Sequence, residues 1–383
     1  MITNDVVYVG VDDKDIDLFE GQFSVPDGIA YNSYVILDDK IAVMDTVDRR
    51  KKDAYMENLE KALAGKSPDY LIVSHVEPDH ASSVKTFLEK YPSARLVGNT
   101  KTFQMLSLYF DLDFSTALTV KDGDTLSLGK HELSFVMAPM VHWPEVMLTY
   151  DSFDKILFSA DAFGKFGALD AKDNWDDEAR RYYFNIVGKF GMPVQTILKK
   201  AAALDIQVIC PLHGPVLKEN LGYYLDKYNT WSSYAPEKEG VFIAYASLHG
   251  NTAEAAKKLA QILKDKGCPE VAILDLARDD MAKALENAFC YGKIVLAASS
   301  YNGGLMPYME FFLHYLKGKN YQKRQAALIE NGSWAPSAKK VMTDMLSQMN
   351  AVEILEPSLT IRGAVKEETV KELESLADEL LKA

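Results

Sequence analysis

From Gly240 onward the chain alternates between short apolar runs and amphipathic stretches, and no other feature limits its possible folds so tightly. GVFIAYA reads as a buried strand, and TAEAAKKLAQILKDKG as a helix closed by glycine. VAILDL, KIVLAAS, QAALIE and AVEILEP repeat the first pattern. DMAKALENAF, MPYMEFFLHYLKG, SAKKVMTDMLSQM and VKEETVKELESLADELLKA repeat the second. Strands that are apolar on both faces belong in a sheet covered on both sides. Strict β-α alternation therefore predicts a doubly wound parallel sheet. Met306, Met309 and Phe312 read as a core stripe. In the acidic last helix, Leu373, Leu376, Leu380 and Leu381 should face inward.

The earlier part has a different rhythm. Strand-like runs dominate from about Val6 to Ile209: YVILDD, KIAVMDTV, DYLIVSH, ARLVGNT, LSFVMAPM, KILFSADA and DIQVIC. Helical stretches such as KKDAYMENLEKALAGK and SVKTFLEKYP interrupt them. Mixed short strands joined by turns predict packed sheets flanked by helices. The polar segment SSYAPEKEG, with its Pro and Gly, divides the halves. The expected domains are residues 1–239 and 240–383.

Charge and cysteine content narrow the function. With 42 basic and 55 acidic residues the formal charge is −13, which disfavours nucleic acid and anionic membrane surfaces as partners. No long apolar run or signal pattern is present, so a cytoplasmic protein without a membrane span is expected. The three cysteines, Cys210, Cys268 and Cys290, include no C-x-x-C pair. A disulfide scaffold and a four-cysteine metal site are both excluded, so any metal rests on His, Asp and Glu.

Such residues gather at strand ends. After DYLIV comes S-H-V-E-P-D-H, with His75, Glu77, Asp79 and His80. Pro78 keeps Glu77 out of the helical region. Positions 75, 77 and 79 share a direction only if the loop is extended. Taken alone, Asp79 reads as a cap for the helix ASSVKTFL. His142 follows LSFVMAPM, Asp161 ends ILFSAD, and His213 follows VICPL. A buried carboxylate at Asp161 needs a partner or a metal.

A second constellation lies in the other half. VFIAYA leads into Ser247, Leu248, His249, Gly250, Asn251 and Thr252 at the start of a helix. Small donors beside a helix N-terminus suit a phosphate. AASSYNGG adds Ser299, Tyr301, Asn302 and Gly303, and ENGSW adds Asn331, Gly332 and Trp334. Two aromatics at the carboxyl edge of a parallel sheet can cover a flat ring. The dinucleotide fingerprint G-x-G-x-x-G is absent after the first strand. This half resembles flavodoxin, which implies FMN. Leu248 and His249 stand where related loops often carry Met and an aromatic residue.

The order H-x-E-x-D-H, His142, Asp161, His213-Gly-Pro resembles the metallo-β-lactamase-like fold, an αββα sandwich. That family carries H-x-H-x-D-H and usually holds two zinc ions. Here Glu77 replaces the second His, and a carboxylate hardens the site toward iron. Together with the flavodoxin-like half, this resembles the flavodiiron proteins (A-type flavoproteins) over essentially the whole chain. The resemblance implies one iron on His75, Glu77 and His142, a second on Asp79, His80 and His213, and Asp161 bridging both. In part of the family the residue matching His80 does not contact iron. His131, His249 and His314 match no ligand position.

The implied activity is reduction of dioxygen to water and/or nitric oxide to nitrous oxide, with FMN relaying electrons. The cysteines leave no room for an internal rubredoxin. An external donor is therefore expected: a rubredoxin, a reduced deazaflavin or a flavin reductase. The resemblance also implies a head-to-tail homodimer or a dimer of dimers. The alternative is a metallo-β-lactamase-like hydrolase fused to a flavodoxin electron carrier, against which Glu77 counts.

Overall fold

The computed structural model describes residues 1–382. They form two compact units, one of residues 1–183 and 192–229, the other of residues 184–191 and the chain from residue 230 onward.

The first unit holds two sheets. One contains, in spatial order, Val6–Tyr8, Tyr34–Ile36, Ala42–Met44, Tyr70–Ile72, Arg95–Gly98 and Leu118–Thr119. The other contains Thr125–Ser127, Glu132–Met137, Met147–Asp151, Ile156–Phe158 and Val208–Cys210. Their inner faces meet in one core. Tyr34, Ile36, Met44, Ile72 and Val97 of the first sheet pack with Phe135, Met147, Ile156, Phe158 and Cys210 of the second. Burying each large apolar side chain contributes roughly 1.5–3 kcal/mol. The helices Lys52–Leu63 and Thr100–Tyr109 pack against strands of the first sheet. Asn99 caps the second of them by accepting from Lys101 N and Thr102 N.

The second unit is a parallel sheet in the order Val271–Asp275, Lys238–Ala246, Tyr291–Tyr301, Arg324–Asn331 and then a fifth position. By chain order that is 2-1-3-4-5, the doubly wound arrangement in which all strands run parallel and the strand order reverses between the first and third strands. The helices Asn251–Asp265 and Glu367–Lys382 share one core cluster, in which Leu259, Leu263, Leu373, Leu376 and Leu380 are buried. Leu381 is only partly buried against it. Met309 and Phe312 are core, while Met306 is half-buried at the N-cap of Pro307–Gly318.

The structure corrects the fifth strand. AVEILEP is not one strand. Val352–Ile354 pairs with the beginning of Arg324–Asn331, the chain breaks at Glu356-Pro357, and Leu359–Ile361 pairs with its end. Proline has no amide hydrogen to give the ladder, so pairing resumes only beyond it. The strand-end loop of this position therefore lies near Gly363, not at Pro357. Among the described residues, no helix is long and apolar enough to cross a membrane.

Candidate metal centre and flavin cleft

The loop after Tyr70–Ile72 carries the H-V-E-P-D-H run. Glu77 has φ −54° and ψ 137°, the extended conformation that a following proline imposes. Pro78 then opens a single helical turn, Pro78–Ala81. The loop is thus extended only as far as Glu77. Positions 75, 77 and 79 do not share one direction, because Asp79 and His80 already lie in the helix. Asp79 is also not a cap: it sits inside the turn, and both its oxygens are buried without a hydrogen-bond partner.

The seven predicted residues form two adjoining groups, His75–Glu77–His142–Asp161 and Asp79–His80–His213. In the first, His142 Nε2 lies 3.0 Å from both Glu77 Oε2 and Asp161 Oδ2, and His75 Nε2 lies 3.1 Å from Glu77 Oε2. In the second, His80 Nε2 and His213 Nε2 each lie 3.2 Å from Asp79 Oδ2. The two carboxyl oxygens of Asp161 are divided between the groups. Oδ2 faces His75 at 3.6 Å as well as His142, and Oδ1 faces His80 at 3.2 Å and His213 at 3.8 Å.

The chemistry of this set fits two cations. Asp161 Oδ1 and both Asp79 oxygens are buried acceptors with no donor. His80 Nε2 and His213 Nε2 point at each other 3.0 Å apart. Buried acceptors converging without donors are costly unless a cation lies between them. Burial disfavours charge on His75, His142 and Asp161. Even so, Asp161, Glu145 and Glu77 hold His75 well above the ordinary histidine pKa, and Asp161 and Glu77 lift His142 to about 9. The same rings hold Asp161 well below the carboxylate range despite its burial. The site thus demands positive charge, which protons or metal ions can supply.

Residues around the cluster orient it. Glu145 Oε1 accepts from His75 Nδ1 at 2.7 Å and from Val76 N at 2.9 Å. The Ala30 carbonyl accepts from His213 Nδ1 at 2.8 Å. Both histidines therefore present Nε2 as the free ligand atom. His80 Nδ1 is buried and has no such partner. Glu145 stands within M-V-H-W-P-E, only three residues past His142, yet its role is not readable from sequence. Tyr182 is also unannounced: its buried ring lies 5.5 Å from that of His213, and its hydroxyl has no hydrogen-bond partner.

In the second unit, eleven of the thirteen expected flavin residues line one cleft: Leu248, His249, Asn251, Thr252, Ser299, Tyr301, Asn302, Gly303, Asn331, Gly332 and Trp334. Ser247 and Gly250 line a hollow beside it, and the Ser247 hydroxyl accepts from Gly250 N at 3.0 Å. The cleft sits where the 2-1-3-4-5 order reverses, the usual ligand position in such sheets. Gly250 has φ +96° and starts the helix with no side-chain cap, which leaves first-turn N–H groups for an anion. Thr252 and Ser299 share a hydroxyl–hydroxyl bond of 2.9 Å at the base.

Trp334 is 89% exposed and Tyr301 40% exposed, two aromatic faces bare at the rim. An uncovered indole at a sheet edge fits a planar ligand that stacks on it. The cleft also includes Ser300, Ser333, Ala335 and Gly363, which sequence reading missed. Gly363 belongs to the loop displaced by the broken fifth strand. Its N–H and C=O pair with the Asn331 side chain at 3.0 and 2.9 Å.

Comparison with known proteins agrees with both halves. Residues 29–214 match the ODP family beta lactamase model, and residues 242–370 match a flavodoxin domain. A nitric oxide reductase of Moorella thermoacetica is 29% identical over 381 residues, covering 97% of this chain and 95% of the relative. An anaerobic nitric oxide reductase flavorubredoxin of Aliivibrio fischeri is 30% identical over 346 residues, covering 87% of this chain and 69% of the relative. The crystal structure of the flavodiiron protein from Giardia intestinalis superposes with a TM-score of 0.92 at 25% identity, over 99% of this chain and 96% of that one. Fold and site together define an oxidoreductase that joins a β-lactamase-type metal domain to a flavodoxin domain. The chain belongs to the flavodiiron protein family.

Proposed function

We propose that this protein reduces dioxygen to water and/or nitric oxide to nitrous oxide at a diiron centre, with electrons relayed through FMN from an external donor. The observation that carries this reading is Asp161, with one carboxyl oxygen in each of two adjoining His/carboxylate groups. His75, Glu77 and His142 would hold one iron, and Asp79, His80 and His213 the other, with Asp161 bridging. Ser247 to Thr252 would hold the FMN phosphate, and Tyr301 and Trp334 would cover the ring. When bound, the irons and the flavin supply the redox equivalents; the chain supplies position and field.

The residues' own tasks follow from the geometry. Glu145 and the Ala30 carbonyl fix the tautomers of His75 and His213. Glu77 brings a hard oxygen where zinc hydrolases have a nitrogen, which favours iron. Phe19, at 5.4 Å from the His213 ring, and Trp143, at 5.2 Å from the His75 ring, pack edge-on and limit water around the cluster. Burial, together with the Asp161, Asp79 and Glu77 carboxylates, raises the Tyr182 pKa well above its ordinary value, so Oη keeps its proton. Tyr182 is thus a donor at the edge of the cluster, available to a substrate oxygen.

The name flavorubredoxin, carried by the Aliivibrio fischeri relative, supports a rubredoxin as donor; a reduced deazaflavin or a flavin reductase would serve the same role. We further propose a functional division near residue 239, a head-to-tail homodimer and a cytoplasmic location. The test is anaerobic turnover of the reduced, iron- and FMN-loaded protein, with dioxygen and nitric oxide supplied in turn. Consumption of at least one gas is expected, and it should be lost in His142→Ala with FMN retained. A protein that takes up only zinc, or that turns over a thioester or lactam without reductant, overturns the reading.

A further inference from the structure

A third group of potential ligands lies away from the centre described above and shares no residue with it. His131, Asp5 and Asp154 place a ring nitrogen and two carboxylate oxygens within 4.8 Å of one another. His131 comes from the turn before the strand Glu132–Met137, Asp154 from the turn after Met147–Asp151, and Asp5 from just before Val6–Tyr8. Three segments distant in sequence thus meet at one point of the same unit.

The ring is set up to bind something. His131 is fully buried, and its Nδ1 bonds Asp151 Oδ2 at 2.8 Å. Asp151 is itself buried and accepts from Phe153 N at 3.1 Å. With Nδ1–H committed to Asp151, a neutral ring turns the Nε2 lone pair toward Asp5 and Asp154. That Nε2 is buried with no hydrogen-bond partner, 3.7 Å from Asp5 Oδ2. The Nε2 lone pair then faces two carboxylates and has no donor of its own, a costly arrangement for a buried nitrogen unless a cation joins the three. The pattern is that of His75, whose Nδ1 is held by Glu145 while Nε2 faces Glu77 and Asp161.

We infer that His131 Nε2, Asp5 and Asp154 form a peripheral site for one divalent transition-metal ion of the zinc class. A histidine oriented by a second carboxylate is a usual metal ligand, and nitrogen and carboxylate oxygen both lie within the ligand set that zinc accepts. Bonds of roughly 2.0–2.2 Å span about 4 Å across the ion, so modest rotation of the carboxylates closes the cage. Asp5 and Asp154 are both partly exposed, which gives the ion a way in and leaves room for water as a fourth ligand. Lys130 bonds Asp5, and the Thr3 hydroxyl bonds Asp154. A carboxylate has lone pairs enough to keep these partners while binding a metal. Occupancy would tie the N-terminal strand to two turns of the second sheet.

The test uses the full chain loaded with iron and FMN. Zinc chloride is added, the protein is desalted, and zinc and iron are counted per chain. The parent is expected to retain one zinc more than the Asp5→Asn/Asp154→Asn double variant, at equal iron content. Crystals grown with zinc should show an anomalous peak between His131, Asp5 and Asp154. His131→Gln also removes a buried bond, so the double variant, which leaves the ring and Asp151 intact, is the deciding one. Equal zinc in parent and double variant, or an anomalous map with no peak at this point, overturns the proposal. A ring charged only by a proton gives that second result. The readout is independent of gas reduction, so it stands or falls separately from the proposed function.

Discussion

Asp161 shows at the residue scale what a single side chain can do. Its oxygens lie 3.0 Å from His142 Nε2 on one side and 3.2 Å from His80 Nε2 on the other. Replacing one oxygen by an amide removes a ligand from one group and puts an uncharged N–H donor, which cannot bind a cation, in its place. Asp161→Asn is expected to reduce bound iron from two per chain to one or none, read by elemental analysis, with FMN content unchanged. Glu77→His should shift metal uptake from iron toward zinc in growth medium containing both, and lower gas reduction at least tenfold. Tyr182→Phe deletes the unpartnered hydroxyl but keeps the ring against His213. Iron content should hold, while turnover falls by about 10- to 100-fold, the range of one positioned proton donor. The acids and histidines of this site are legible in sequence because two histidines and two acids crowd one strand end, and their order with His142, Asp161 and His213 resembles a known family. Their division into two groups came only from the family resemblance; the physical basis, one helical turn begun by Pro78 that carries Asp79 and His80 away from His75 and Glu77, is not readable from local pattern.

At the scale of elements, the flavin cleft is made of strand ends, so its content depends on where each strand stops. The loops after Lys238–Ala246, Tyr291–Tyr301 and Arg324–Asn331 are readable, since Gly, Asn and Ser follow uninterrupted apolar runs. The fourth loop is hidden by Pro357. A pattern of apolar residues cannot tell that pairing resumes at Leu359 after the break. Backbone approach is close at Gly332, where an added Cβ would meet Pro336 Cα at 2.8 Å and Ser300 Oγ at 3.0 Å. Gly332→Val should therefore displace the loop and weaken FMN binding at least tenfold, measured by fluorescence quenching of added flavin. Trp334→Ala removes only an exposed aromatic face. It should lower FMN affinity by a few-fold to tenfold and leave thermal stability of the flavin-free protein unchanged.

At the scale of the whole molecule, each unit is stabilised by its own core, and each core has its own consequence. Leu376 is fully buried between the last helix and the sheet, so Leu376→Ala should destabilise the second unit by about 2–5 kcal/mol in denaturant titration. Iron content of the folded protein should stay the same, because no ligand of the metal group belongs to that unit. The sequence by itself determined the strand-helix rhythm, a doubly wound parallel sheet and the chemical character of both sites. These follow from local rules: apolar periodicity, glycine at tight turns, and the cost of burying a carboxylate alone. Tertiary structure alone decided the distances among the ligands, which oxygen of Asp161 meets which ring, and which loop supplies Gly363. It alone brought Glu145 under His75, and Asp5 and Asp154 beside His131. Those contacts join residues distant along the chain, and their geometry is set by how two sheets pack, which no local pattern records.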